Sequence, residues 1–171
     1  MRFKFAVVII ILTIQGGILA QSAKSPYINY EYEGVVPGRS LPNGVIELGG
    51  SLIGDIEADP VYSVAQMKKG RMEMLWLVVS TGKDAKGITG WKVIDVLSFP
   101  SLAKAQYLFT AGDPAIYCRK NGGEIPNPVG VGRIDRKRAR FIPSTLWSAD
   151  LKLKRFTPLN LAGVKCEYFE P

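Results

Sequence analysis

Apolar residues in this chain fall in short runs and two-residue alternations, with turn formers about every eight to fifteen residues. The clearest stretch is 61–99. Residues 61–67 alternate, and Lys68-Lys69-Gly70-Arg71 forms a tight turn into 72–80. Within that strand Met74-Leu-Trp-Leu-Val-Val79 is apolar throughout, as expected of a central strand covered on both faces. A polar, glycine-marked connection over 81–90 leads into 91–99, which is rich in β-branched and aromatic residues. These three segments predict an antiparallel meander with 72–80 in the middle and with Trp76 and Trp91 in the core.

Elsewhere the signals are shorter. Residues 45–48 read as a strand broken by Gly49-Gly50, and 51–56 as a second strand ended by Asp59-Pro60. Residues 101–109 hold the best helix formers of the chain and predict two turns of helix. A strand over 115–119 follows. Residues 129–134 and 139–142 flank a turn at 135–138, Trp147 opens a strand that turns around 150–154, and 164–169 is the final strand. The predicted fold is all-β, an antiparallel sandwich or barrel-like meander of about 8–10 short strands, with at most one short helix near 101–109.

The first residues do not share this pattern. Arg2 and Lys4 precede an apolar run over 5–14, and small residues follow at Gly16, Gly17 and Ala20. That arrangement predicts a secretory signal over 1–23. Residues 24–44 then read as an exposed, extended lead-in segment with turns at Pro37-Gly38 and Pro42-Asn43-Gly44, and 45–171 as one β-rich domain. Tyr30 and Tyr32 share a face of that segment, a stripe that suits packing on a sheet edge better than sugar stacking. After the leader no apolar run is long enough to cross a membrane. The expected location is outside the cytoplasm, periplasmic or extracellular.

Export changes the reading of the two cysteines. Cys118 and Cys166 are an even pair in an exported chain and predict a disulfide between the last strand and one about fifty residues earlier. A reactive cysteine would need a partner base, and the chain has no histidine. The same absence removes a Ser-His-Asp triad, a Cys-His pair and histidine-ligated zinc. Ser101 and Lys104 match the S-x-x-K pattern of serine acyl-transfer enzymes, without the S-D-N and K-T-G elements that accompany it. Asp55, Glu57 and Asp59 would share a face if extended, where a glycosidase pair or a calcium ion would be sought. Solvated carboxylates at a strand end are the simpler reading. Gly130 and Gly132 make half of a dinucleotide fingerprint and read more simply as strand glycines beneath an aromatic ring. No cofactor or metal is expected.

Charge supplies the remaining signal. The formal net charge is +7, and it is uneven: residues 103–171 carry 12 Lys and Arg against 6 Asp and Glu, residues 24–102 only 8 against 9. Arg133, Arg136, Lys137, Arg138 and Arg140 surround one predicted turn, and Lys152, Lys154 and Arg155 the next. If the turns are neighbours, their tips form one positive patch for an anionic partner. The bland reading is solubilised hairpin tips. Aromatics are not interleaved with these cations, so nucleic acid is not expected. The sequence therefore predicts an exported, non-enzymatic β-domain that binds another protein or an anionic envelope component. The alternatives are a lipid or small-ligand carrier with a barrel cavity, and a carboxylate-type glycan hydrolase.

Overall fold

A computed structural model of the protein describes residues 25–33 and 41–170. The expected leader (1–23) and the turn at Pro37-Gly38 lie outside the described residues.

The apolar run of the meander becomes the longest strand, β4 (Met72–Lys83), between β3 (Tyr62–Lys69) and β5 (Thr89–Phe99). Trp76 pairs with Ala65 on one side and Val96 on the other and is wholly buried, whereas Trp91 is only partly buried. β1 (Glu31–Glu33) adds to β5 and β2 (Val45–Ile53) adds to β3, so the first sheet runs β1-β5-β4-β3-β2. The second sheet contains β6 (Tyr107–Phe109), β7 (Ile116–Lys120), β8 (Gly123–Glu124), β9 (Pro128–Asp135), β10 (Arg140–Asp150), β11 (Arg155–Pro158) and β12 (Val164–Tyr168). Its order is β6-β9-β10-β12-β7-β8, with β11 beside the far half of β10. The chain is thus an all-β sandwich of two antiparallel sheets, and it has no α-helix among the described residues. Twelve strands replace the expected eight to ten, because β1, β6 and β8 are pieces of two or three residues that carry no pattern of their own.

Three expectations are corrected. Residues 101–106 form an irregular loop and 107–109 a strand, not a helix. Leu108 points into the inter-sheet core and Phe109 into a different cluster, and only an extended chain sends neighbours to opposite faces. The glycine pair in 45–53 does not end a strand. β2 continues through it by a bulge at Leu48, between the pairs Glu47–Met67 and Gly49–Gln66. The lead-in segment is not exposed throughout: among its described residues Tyr27 and Tyr32 are buried against Trp76, with ring centroids at 5.0 and 5.8 Å.

Three apolar clusters fill the fold. Leu75, Leu77, Val64, Val131 and Trp147 meet between the sheets, where Phe99 packs edge-on against Trp147 at 5.8 Å. The outer face of the first sheet, around Trp76, Met67 and Met74, is covered by Tyr27, Tyr32 and Leu41. The third cluster lies within the second sheet, joining Phe109, Phe141, Cys118 and Tyr168. It exists because that sheet curls. β6 and β7 would stand about 19 Å apart in a flat sheet, four strand spacings of roughly 4.8 Å. They are linked by 110–115 alone, a segment folded into two hydrogen-bonded turns. Gly130 and Gly132 line the inside of the curl as expected: a Cβ on Gly130 would lie 2.9 Å from the Phe109 ring, and one on Gly132 2.6 Å from that of Phe141.

Candidate binding surface

Both basic turns form as hairpins, and both belong to one strand. Arg136–Arg138 makes a 3-10 turn between β9 and β10, with Asp135 capping it by accepting the Arg138 N–H at 3.3 Å. Residues 151–154 turn β10 into β11, anchored by Asp150 Oδ1, which accepts the N–H groups of Lys152 and Leu153 at 3.0 and 2.9 Å. β10 is one strand of eleven residues and not two segments. Its passage through Pro143 is possible because Ser144 bulges out of register with β9 and donates its hydroxyl to the Val131 carbonyl at 2.9 Å. The two turns therefore sit at opposite ends of β10, about 30 Å apart at 3.3 Å per residue. The condition for a single patch, that the two turns be neighbours, is not met.

The two ends differ in their neighbours. A Cβ on Gly54 would lie 2.7 Å from Leu151 Cδ1, so the far turn touches the β2–β3 connection. That connection carries Asp55, Glu57 and Asp59, and among the described residues none of them forms an ion pair with Lys152, Lys154 or Arg155. The connection is a turn and not extended, so these carboxylates do not share a face; Asp55 Oδ1 accepts the Glu57 N–H at 2.9 Å.

At the near end the register gathers more cations than the turn itself holds. On the outer face of the second sheet, Arg140 stands opposite Asp135 on β9 and Glu167 on β12, and Glu167 opposite Tyr117 on β7. That row alternates in charge. Two residues along on the same face, Lys165 of β12 is directly opposite Arg119 of β7, two cations side by side and both exposed, with Glu124 of β8 on the far side of Arg119. Arg133 completes the face beside Ile142. Arg136 reaches Glu170 at 3.8 Å and Arg138 reaches Asp135 at 3.7 Å, both in solvent, where such pairs contribute at most about 1 kcal/mol. Lys137 and Arg133 have no ion pair among the described residues. Arg119 lies 4.9 Å from the centroid of the Tyr117 ring, and its pKa is raised, chiefly by a side-chain hydrogen bond with Tyr117. A shallow pocket of about 430 Å³ lies over this pair, with Asn121 and Gly163 at its end.

Arg119 and Lys165 were not among the residues that the sequence singles out. Each is an isolated charge on its own strand, and only the β7–β12 register makes them neighbours. That register is pinned by the predicted disulfide: Cys118 and Cys166 are cross-strand partners, bonded with S–S 2.02 Å, and both are buried.

The remaining candidates disperse. Ser101 and Lys104 are exposed on the irregular loop, with no helix to place them together. Among the described residues no three His, Cys, Asp or Glu side chains gather as a metal site, and no helix is long and apolar enough to cross a membrane. A second groove, of about 520 Å³, lies on the first sheet between Leu52, Ile56 and Trp91. The one charged side chain buried among the described residues is Asp95, whose Oδ2 accepts the Phe156 N–H at 2.6 Å across the two sheets. Comparison with known proteins finds no matching family, no matching curated protein and no matching solved structure.

Proposed function

We propose that the protein is an exported, non-enzymatic binding module that engages an anionic macromolecule through the outer face of β9, β10, β12 and β7. The observation that carries this reading is the Arg119–Lys165 pair. Like charges directly opposite in a sheet repel and destabilise it, and an anion lying across both turns that repulsion into attraction. Arg133, Lys137 and Arg140 extend the positive surface from this pair to the β9–β10 turn. Across the face, Arg119, Arg133, Arg136, Lys137, Arg138, Arg140 and Lys165 outnumber Glu124, Asp135, Glu167 and Glu170. The leader pattern and the buried disulfide support export. Binding at the surface is favoured over an interior carrier by the cores: Phe109, Phe141, Leu146 and Tyr168 occupy the inside of the curled sheet.

The test compares two charge-reversed variants on an immobilised sulfated polysaccharide and on anionic-lipid vesicles. R119E/K137E/K165E should weaken retention by about tenfold or more, and the wild-type affinity should fall as salt rises. K152E/K154E, at the far turn, should bind like wild type. Equal retention of all three proteins would remove this reading.

A further inference from the structure

Natural sheets often guard an edge by ending it in a very short strand, and most terminal strands here are short. Among the described residues the terminal strands β1, β6 and β8 are three, three and two residues long, and β11 is four. Strands that short offer little to pair with. β2 is the exception: nine residues at the edge of the first sheet, with no other described strand on its outer side. Its guards are the bulge at Leu48 and the charge of Glu47, and from 45 to 59 there is no Lys, Arg or Pro, the residues that most often blunt an edge. Four of the eight large apolar side chains left exposed lie here, namely Ile46 at 55%, Leu48 at 49%, Leu52 at 51% and Ile56 at 63%.

Charge identifies the occupant. The C-terminal end of β2 leads into Asp55, Glu57 and Asp59. Its N-terminal end lies against the β3–β4 turn, where Val45 pairs with Lys69 and Ile46 with Lys68, and Arg71 follows. Lys69 Cε lies 3.9 Å from where a Cβ on Gly44 would sit. An edge with an acidic end and a basic end complements itself when two copies run antiparallel: each acidic end then meets the other copy's basic turn. That is the isologous match of a two-fold dimer.

We propose that β2 pairs with β2 of a second copy of this chain, antiparallel about a two-fold axis at the Leu48–Gly49 bulge, to make one ten-stranded sheet from the two five-stranded ones. The bulge then sits on the axis. Residues 45–47 of one copy oppose 50–52 of the other, and Leu52 lies beside the partner's Val45, on the same face of the joined sheet.

Sedimentation equilibrium of the purified chain tests this. Wild type should be a dimer, and I46K/L52K, which places lysines on two exposed edge positions, should be a folded monomer with native circular dichroism. D55K/E57K/D59K and K68E/K69E/R71E should each weaken the dimer by about tenfold or more, and mixing the two variants should restore a mixed dimer. A wild-type monomer, a dimer that survives I46K/L52K, open-ended oligomers, or charge variants that neither weaken nor rescue would each overturn the proposal.

Discussion

Asp95 occupies a position that apolar residues fill elsewhere in the inter-sheet core, opposite Leu77 and beside the Ile94 bulge of β5. Its two oxygens accept separate main-chain donors, Val96 N–H at 2.9 Å and Phe156 N–H at 2.6 Å. The first fixes its own bulge. The second joins β5 to β11, and so one sheet to the other. A hydrogen bond to a charged group contributes about 1.5–3 kcal/mol, and a buried donor left without an acceptor costs about 1–3 kcal/mol. Replacing Asp95 by Ala removes the acceptor of both bonds and should lower the unfolding free energy by about 3 kcal/mol or more. Asn keeps one acceptor and turns its NH2 toward the other donor, so D95N should lose about 2 kcal/mol although its shape is nearly conserved. Urea unfolding of both variants measures this. A D95N midpoint equal to wild type would mean that the carboxylate is not the link between the sheets.

At the scale of elements, the β7–β12 pair shows what a covalent tie adds. Cys118 and Cys166 are 48 residues apart in sequence, and closing a loop of that size in the unfolded chain is worth about 4 kcal/mol by the chain-entropy argument. C118S/C166S should therefore unfold at a urea midpoint lower by the equivalent of about 4 kcal/mol, and thiol reductant should have the same effect on wild type and none on the variant. A variant as stable as wild type would show that the third core holds these strands without the bond. The bridge was legible in the sequence because export and cysteine parity suffice to predict it. So was the meander: an uninterrupted apolar run such as Met74–Val79 has one comfortable place, the middle of a sheet covered on both sides. What the sequence hid were the places where position overrode propensity. Residues 101–109 have helical composition, yet Leu108 and Phe109 must enter different cores. Gly49-Gly50 and Pro143-Ser144 look like breaks, and each lies at a bulge inside a continuing strand. That second bulge is also why the candidate site was half legible. Reading β10 as two strands left the two basic turns free to converge, whereas one unbroken strand holds them apart. Arg119 and Lys165 were invisible for the complementary reason, since register, not sequence proximity, makes them a pair.

For the whole molecule, the charge split between the chain's halves becomes a split between its sheets. Residues 25–33 and 45–99 build the first sheet and its mixed-charge edge, and residues 107–168 the second sheet and its cationic face. The proposed dimer joins first sheets edge to edge, which leaves both cationic faces uncovered and turned away from the joint. Two weak anion sites on one rigid body bind a repeating polyanion as a bivalent ligand, with the second contact made at high effective concentration. Separating the copies should then change binding to a surface far more than binding to a fragment. For I46K/L52K, affinity for a short sulfated oligosaccharide that spans one face should match wild type. On a dense layer of the long polysaccharide its dissociation should be faster by about a hundredfold, the low end of the usual gain from bivalency. Surface-binding kinetics on both ligands reads this out. Equal loss on the short and the long ligand would mean that the edge variant had damaged the cationic face, and equal retention on both would mean that each molecule engages its partner through a single face.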